Sequence, residues 1–160
     1  MTETRVEAAT MDDVDAVTAH WVALVEGQRE YGAHLRGAEN ESAARSIIEQ
    51  YVHAAGLGVA RGHDGTTVAG FVMFHVERGL YEQDVRRGIV ENVYVAPRHR
   101  GDGFGSALLE YAEEGLEDEG VDVLSLSVLV GNERARDWYE DRGYSPHRVT
   151  LERPVGDGDT

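Results

Sequence analysis

The stretch from Ile89 to Asp118 leaves this chain few folds to choose from. A β-rich run from Ile89 to Val95 is stopped by Pro97, which has no N–H to give a sheet ladder. Arg100 and glycines at 101, 103 and 105 follow, and a helix begins at once. Phe104, Ala107, Leu108, Tyr111, Ala112, Gly115 and Leu116 form one apolar stripe on it. Glu110, Glu113, Glu114, Glu117 and Asp118 take the opposite face. A strand that turns through glycine straight into such a helix implies a sheet covered by helices, which is an α/β or mixed α+β architecture.

The flanking pattern fills in the order. Arg5 to Ala9 reads as a first strand, and Thr10 with Asp13 has the spacing of a capping box. Val14, Val17, Trp21, Leu24 and Val25 then recur at helical spacing. A polar, glycine-punctuated stretch, 27–40, precedes a second helix carrying Ala44, Ile47, Ile48, Tyr51, Val52 and Ala55. Leu57 to Ala60 and Val68 to Val76 read as strands joined by a turn at His63, Asp64 and Gly65. After the Ile89–Asp118 stretch, Val121 to Val130 alternates like a strand, Asn132 to Arg142 like a short helix, and Val149 to Val155 like a last strand. The expected order is β-α-α-β-β-β-α-β-α-β, with about four helices on a mixed sheet. Residues 1–155 are expected to form one domain, with 156–160 a frayed acidic tail.

The glycine turn also suggests chemistry. A helix amino terminus has unpaired N–H groups and about half a positive charge, and glycine lets an anion approach the backbone closely. The glycines lie Gly-x-Gly-x-Gly, and no Gly-Lys-Ser/Thr is present, so neither common nucleotide loop fits. All fifteen basic residues are arginine, which excludes a lysine base or Schiff-base lysine. No cysteine is present either, so a cysteine nucleophile and thiolate metal sites are excluded, and the scattered histidines lack metal-ligand spacing. Acidic residues outnumber basic ones thirty to fifteen, for a net charge of −15. That balance argues against nucleic acid as a partner and resembles proteins of salt-loving archaea, in which concentrated salt screens self-repulsion. The apolar runs are too short to span a membrane. The start, Met1 to Arg5, carries charge at Glu3 and Arg5 and leads into no apolar stretch, so a cytoplasmic protein is expected.

Arg100-Gly101-Asp102-Gly103-Phe104-Gly105 resembles the Arg/Gln-x-x-Gly-x-Gly/Ala motif of the GNAT N-acetyltransferase superfamily. Asn132 to Tyr144 resembles the family's second block, Asn-x-x-Ala-x-x-x-Tyr-x-x-x-Gly-Phe/Tyr. The resemblance implies acetyl-CoA as co-substrate, no metal, and an amine acceptor, either a small molecule or a protein amino group; a homodimer is compatible with it. It implies that Arg100 and the backbone of Gly101, Asp102, Gly103, Phe104 and Gly105, with Ser106, would hold the CoA pyrophosphate. Val93 and Val95 would pair with the pantetheine arm like an added strand, and Asn132 would both cap its helix and contact that arm. Asp102 departs from the family pattern, since it places a negative charge in an anion-binding turn.

Acetyl transfer to an amine needs a base and an acid. Glu91, expected on the strand face shared with Ile89, Val93 and Val95 and desolvated by those apolar flanks, is the candidate base. A strand carboxylate paired with an arginine is the competing reading. Tyr139 is the candidate acid for the leaving thiolate, against a plain core aromatic. Tyr31, His34 and Arg36 lie where the family shapes its acceptor pocket, and His75 could face that pocket. The reading from the sequence is therefore an N-acetyltransferase acting by direct attack in a ternary complex. A CoA-binding sensor without chemistry is the rival.

Overall fold

A computed structural model describes residues 5–156. β1 (Arg5–Ala8) leads into the expected capping box: Thr10 Oγ1 accepts from the Asp12 amide, and Asp13 Oδ2 accepts from the Thr10 amide at 2.9 Å. α1 (Val14–Gln28) starts from that cap. Asp13 is buried, and Arg61 Nη1 and Nη2 donate to its two oxygens at 2.8 and 3.1 Å. The cap is thereby tied to β2 (Leu57–Arg61), which follows α2 (Glu41–His53). Asp64 closes the next turn by accepting from the Thr66 and Thr67 amides. β3 (Val68–Val76), β4 (Arg87–Val95), α3 (Phe104–Asp118), β5 (Val123–Leu126) and α4 (Glu133–Glu140) complete the order.

The strands lie in the order β1-β2-β3-β4-β5, antiparallel throughout except for β4 and β5, which run parallel. This is the mixed sheet with four helices that the sequence led us to expect, and most of its strand pairs are antiparallel. Alternation along the strands divides the core. Phe71 and Met73 of β3 join Leu57, Val59 and Tyr94 beneath Val14, Val17 and Ile48 of α1 and α2. Val72 and Phe74 face the other way, with Val90, against Phe104, Leu108, Leu109 and Leu116 of α3. Gly58 is needed on that second face: a Cβ there would stand 2.6 Å from the Tyr111 ring. Among the described residues no helix is long and apolar enough to cross a membrane.

Two expectations are corrected. The strand expected over Val121 to Val130 is paired only from Val123 to Leu126, because β4 gives it partners only as far as Val90. Val149 to Val155 forms no strand: residues 145–156 are exposed and belong to no sheet. An alternating sequence makes a strand only where a neighbouring edge supplies hydrogen-bond partners, and this segment pairs with no strand among the described residues. Of the expected tail, only Gly156 is described, and 157–160 lie outside the described residues.

Candidate active site

The parting of β4 from β5 creates the site. Register along β3 and β4 runs Met73 to Asn92 but Phe74 to Val90, so Glu91 is the extra residue of a β-bulge. The ladder to β5 ends one residue earlier, at Val90 and Leu126. Beyond that point β4 has an open edge. The Ala96 N–H donates to Ala69 on β3 at 2.8 Å, so the Val95 carbonyl in the same peptide points the opposite way, toward this opening. Arg100 Nε donates to it there at 2.9 Å, and the guanidinium lies 5.7 Å from the Tyr94 ring centre. By the two-residue period Val93 presents its backbone to the same edge.

The edge leads to the glycine turn. Gly101 and Gly103 have φ of 88° and 87°, a region any residue with a Cβ enters at a cost of about 1–2 kcal/mol. Gly103 occupies the cap position of α3 without a side chain to bond the helix, so the first amides of α3 are left for another acceptor. Phe104 can contribute only its backbone, since its ring is buried edge-on to His99. The Ser106 hydroxyl accepts from Arg142 Nη2 at 2.6 Å, and the Arg142 guanidinium stacks 3.8 Å from the Trp138 ring centre. Asp102 lies 3.6 Å from His63 Nε2 on the β2–β3 turn. Uncapped amides between Arg100 and Arg142 can accept a doubly charged anion, and the excess of positive charge there runs against the acidity of the chain. Arg142 was missed by the sequence reading. Its signal was its position one helical turn after Trp138, but only the meeting of α4 with α3 links it to Ser106.

α4 closes the opening. The Asn132 Oδ1 caps it by accepting from the Ala135 amide at 3.2 Å. A Cβ on Gly105 would meet Trp138 at 3.6 Å and Val95 at 3.9 Å, so helix, turn and strand end converge within one side chain of each other. Tyr139 packs into the same apolar cluster as Val93 and Val95, edge-on to Trp138 and Tyr144. Burial pushes its phenol above the ordinary tyrosine range, which keeps it protonated.

Glu91 is not where the sequence placed it. The bulge sends Val90, Val93 and Val95 to the α3 face, while Tyr94 faces α1 and α2. Glu91 faces His75 instead, whose Nδ1 stands 3.9 Å from the carboxylate and 3.1 Å from the Tyr51 hydroxyl. Its side chain is 45% exposed, so the apolar desolvation expected from its neighbours is only partial. No arginine pairs with it among the described residues. The loop between α1 and α2 borders the opening at the turn before α4: the Tyr31 carbonyl lies 3.7 Å from a Cβ built on Gly131. His34 Nε2 is 2.8 Å from Glu152, and Arg36 is 3.8 Å from Glu39. The described contacts bring Arg100, Val95, Gly105, Ser106 and Tyr139 around one opening; they do not join Tyr139 to Glu91 directly.

Residues 21–144, which carry that open strand edge and glycine turn, match the family model described as "Acetyltransferase (GNAT) family". The chain belongs to the GNAT family. That family uses acetyl-CoA. The chain is 33% identical over 134 residues to a mycothiol acetyltransferase of Propionibacterium freudenreichii, covering 84% of this chain and 40% of that protein. It is 28% identical over 136 residues to an aminoalkylphosphonate N-acetyltransferase of Salmonella typhimurium, covering 85% of this chain and 81% of that one. The chain thus spans well under half of the first relative and most of the second. A crystal structure of a GCN5-related N-acetyltransferase from Ralstonia eutropha superposes with a TM-score of 0.74 at 24% identity, covering 96% of this chain and 99% of that one. GNAT membership fits the mixed, mostly antiparallel sheet with its four helices.

Proposed function

We propose that this chain moves an acetyl group from acetyl-CoA to a primary amine by direct attack in a ternary complex. The observation that carries the reading is the open edge of β4 running into the uncapped turn at Gly101 and Gly103. Arg100, Arg142, Ser106 and the amides of 101–105 would hold the diphosphate. The Val93 and Val95 backbone, with the amide nitrogen of Asn132, would align the pantetheine arm. Bound there, acetyl-CoA supplies an activated thioester carbonyl. With no cysteine in the chain, an acetyl-cysteine route is closed and the amine attacks the carbonyl itself.

The chain's own residues then handle two protons. An alkyl amine of pKa about 10.4 is neutral in only about one molecule in 2,500 at pH 7, a handicap of about 4.6 kcal/mol. Glu91, half-exposed at the bulge, takes the ammonium proton directly or through a water. As the new N–C bond forms and the C–S bond breaks, Tyr139 donates its phenolic proton to the departing sulfur, and the second proton shed by the nitrogen restores the phenol through water. A phenol held protonated by burial suits that task.

The acceptor is read as an amine on a small molecule or a protein, with no nucleic acid or membrane partner. The chain is read as one cytoplasmic acetyltransferase domain over 1–155, adapted to concentrated salt, and a homodimer is compatible with that reading. Release of free CoA across a panel of small amines and amino-terminal peptides in concentrated KCl tests the reading. Turnover on one or more acceptors is expected. Calorimetric binding of acetyl-CoA with no turnover on any of them would replace it with a sensor.

A further inference from the structure

The bulge at Glu91 brings its carboxylate to two polar side chains that the steps above leave unused. Tyr51 stands in the last turn of α2, and His75 is the next-to-last residue of β3. The Tyr51 hydroxyl lies 3.1 Å from His75 Nδ1, with the two rings edge-on at 6.0 Å. Glu91 Oε1 stands 3.9 Å from the same nitrogen, too far for a direct bond but within reach of one bridging water. Arg87, the one arginine of β4, is engaged by Glu77 at 3.5 Å and does not neutralise Glu91. Tyr51 is half-buried, and burial, followed by the charge of Glu91, pushes its phenol above the ordinary range. It therefore stays protonated and has a hydrogen to donate. That leaves Nδ1 as the accepting nitrogen and puts the ring N–H on Nε2.

We propose that His75 relieves Glu91 of the proton taken from the ammonium group, and that Tyr51 holds the imidazole in the tautomer able to receive it. The relay rests on the acetyl-transfer reading and adds the step that follows its first proton transfer. In water an imidazole is about two pH units more basic than a glutamate carboxylate, so it holds a proton about 100-fold better. The neutral amine is correspondingly better populated with the proton on a ring than with it on a carboxylate. The ammonium N–H bond breaks as an O–H bond forms on Glu91, which leaves the nitrogen its electron pair for attack. The carboxylic acid then gives this proton through a water to the Nδ1 lone pair. The Tyr51 hydrogen turns away, and its oxygen accepts from the new N–H. Glu91 is again an anion and now faces an imidazolium, so the two charges stabilise each other. His75 is 38% exposed and returns the proton to solvent before the next turnover.

Nitrogen NMR of the full chain in concentrated KCl reads the tautomer without any acceptor. The resting His75 ring is expected to carry its hydrogen on Nε2, and Tyr51→Phe to abolish that preference. Turnover is then followed on the best acceptor of the amine panel. His75→Ala is expected to lower it between about tenfold and about 100-fold, with calorimetric affinity for acetyl-CoA within about twofold of wild type. Tyr51→Phe, which removes only the hydroxyl, should lower turnover about threefold. Both that variant and the tautomer carry the test should His75→Ala lose its affinity for acetyl-CoA. Added imidazole should restore turnover to His75→Ala, whereas triazole, a ring of the same size but a far weaker base, should not. A gap in packing would be filled equally by both. A resting hydrogen on Nδ1 would overturn the relay, since no lone pair would then face Glu91. Unchanged turnover in His75→Ala, or rescue by both rings alike, would overturn it as well and leave acetyl transfer standing. A wild-type chain that turns over no acceptor would overturn the acetyl-transfer reading and the relay together.

Discussion

At the residue scale, burial and charge assign different tasks to neighbouring side chains. Tyr139 has an apolar surrounding and a phenol shifted upward, whereas Tyr144 donates to Glu113 at 2.7 Å and is thereby committed. Only the first is available to a leaving sulfur. Tyr139→Phe is expected to lower turnover about 100-fold while leaving the calorimetric affinity for acetyl-CoA within about twofold. Equal losses in the two would return the residue to packing. Arg142 is expected to act the other way round. It is held in place by Ser106 and Trp138 beside the uncapped amides, so Arg142→Ala should weaken acetyl-CoA binding about tenfold through a lost charge-assisted contact. Turnover at saturating cofactor should change little, which steady-state kinetics would read directly.

Elements are joined in this fold by polar anchors at their ends as well as by apolar stripes. The start of α1 is the clearest case, since its cap residue Asp13 is buried on Arg61 of β2, and Arg61 Nε also reaches Glu7 of β1 at 2.8 Å. Burial raises the Asp13 pKa, but hydrogen bonds from Arg61 and Thr10 outweigh it and hold the carboxyl below its ordinary value. Arg61→Ala leaves that carboxylate buried without its partner and should cost about 3 kcal/mol of stability at pH 7. A carboxyl whose folded pKa is depressed contributes stability above its unfolded value and loses it as pH falls through the folded one. The gap between wild type and variant in chemical denaturation should therefore be full at pH 7 and narrow below about pH 4. A gap that is constant across that range would mean the loss comes from packing of the arginine stem.

For the whole molecule, charge is the dominant variable. α3 carries Glu110, Glu113, Glu114, Glu117 and Asp118 with no basic residue in its last turn, where the helix dipole disfavours acids. Glu110 with Glu114, Glu113 with Glu117 and Glu114 with Asp118 are like-charged pairs one turn apart, each costing about 0.2–0.5 kcal/mol when unscreened. The screening length is about 3 Å at 1 M salt and about 10 Å at 0.1 M, so dilution lets these repulsions act together. The melting temperature is expected to fall on dilution below about 0.5 M KCl. An unchanged melting temperature over that dilution would refute the reading of a salt-adapted chain.

The sequence by itself determined the elements whose signals are local. These include the Thr10–Asp13 cap, the stripes of α1 and α3, β3 from Val68 to Val76, and the glycines whose φ only a residue without Cβ adopts freely. It also determined the family, because both motifs lie in contiguous stretches. Tertiary structure alone decided which face Glu91 occupies, since one bulged residue reverses the alternation that a sequence pattern assumes. It alone brought Arg142 to Ser106 across 36 residues. It alone left 149–155 without a strand partner among the described residues: strand pairing joins two segments, and the sequence of one does not name the other.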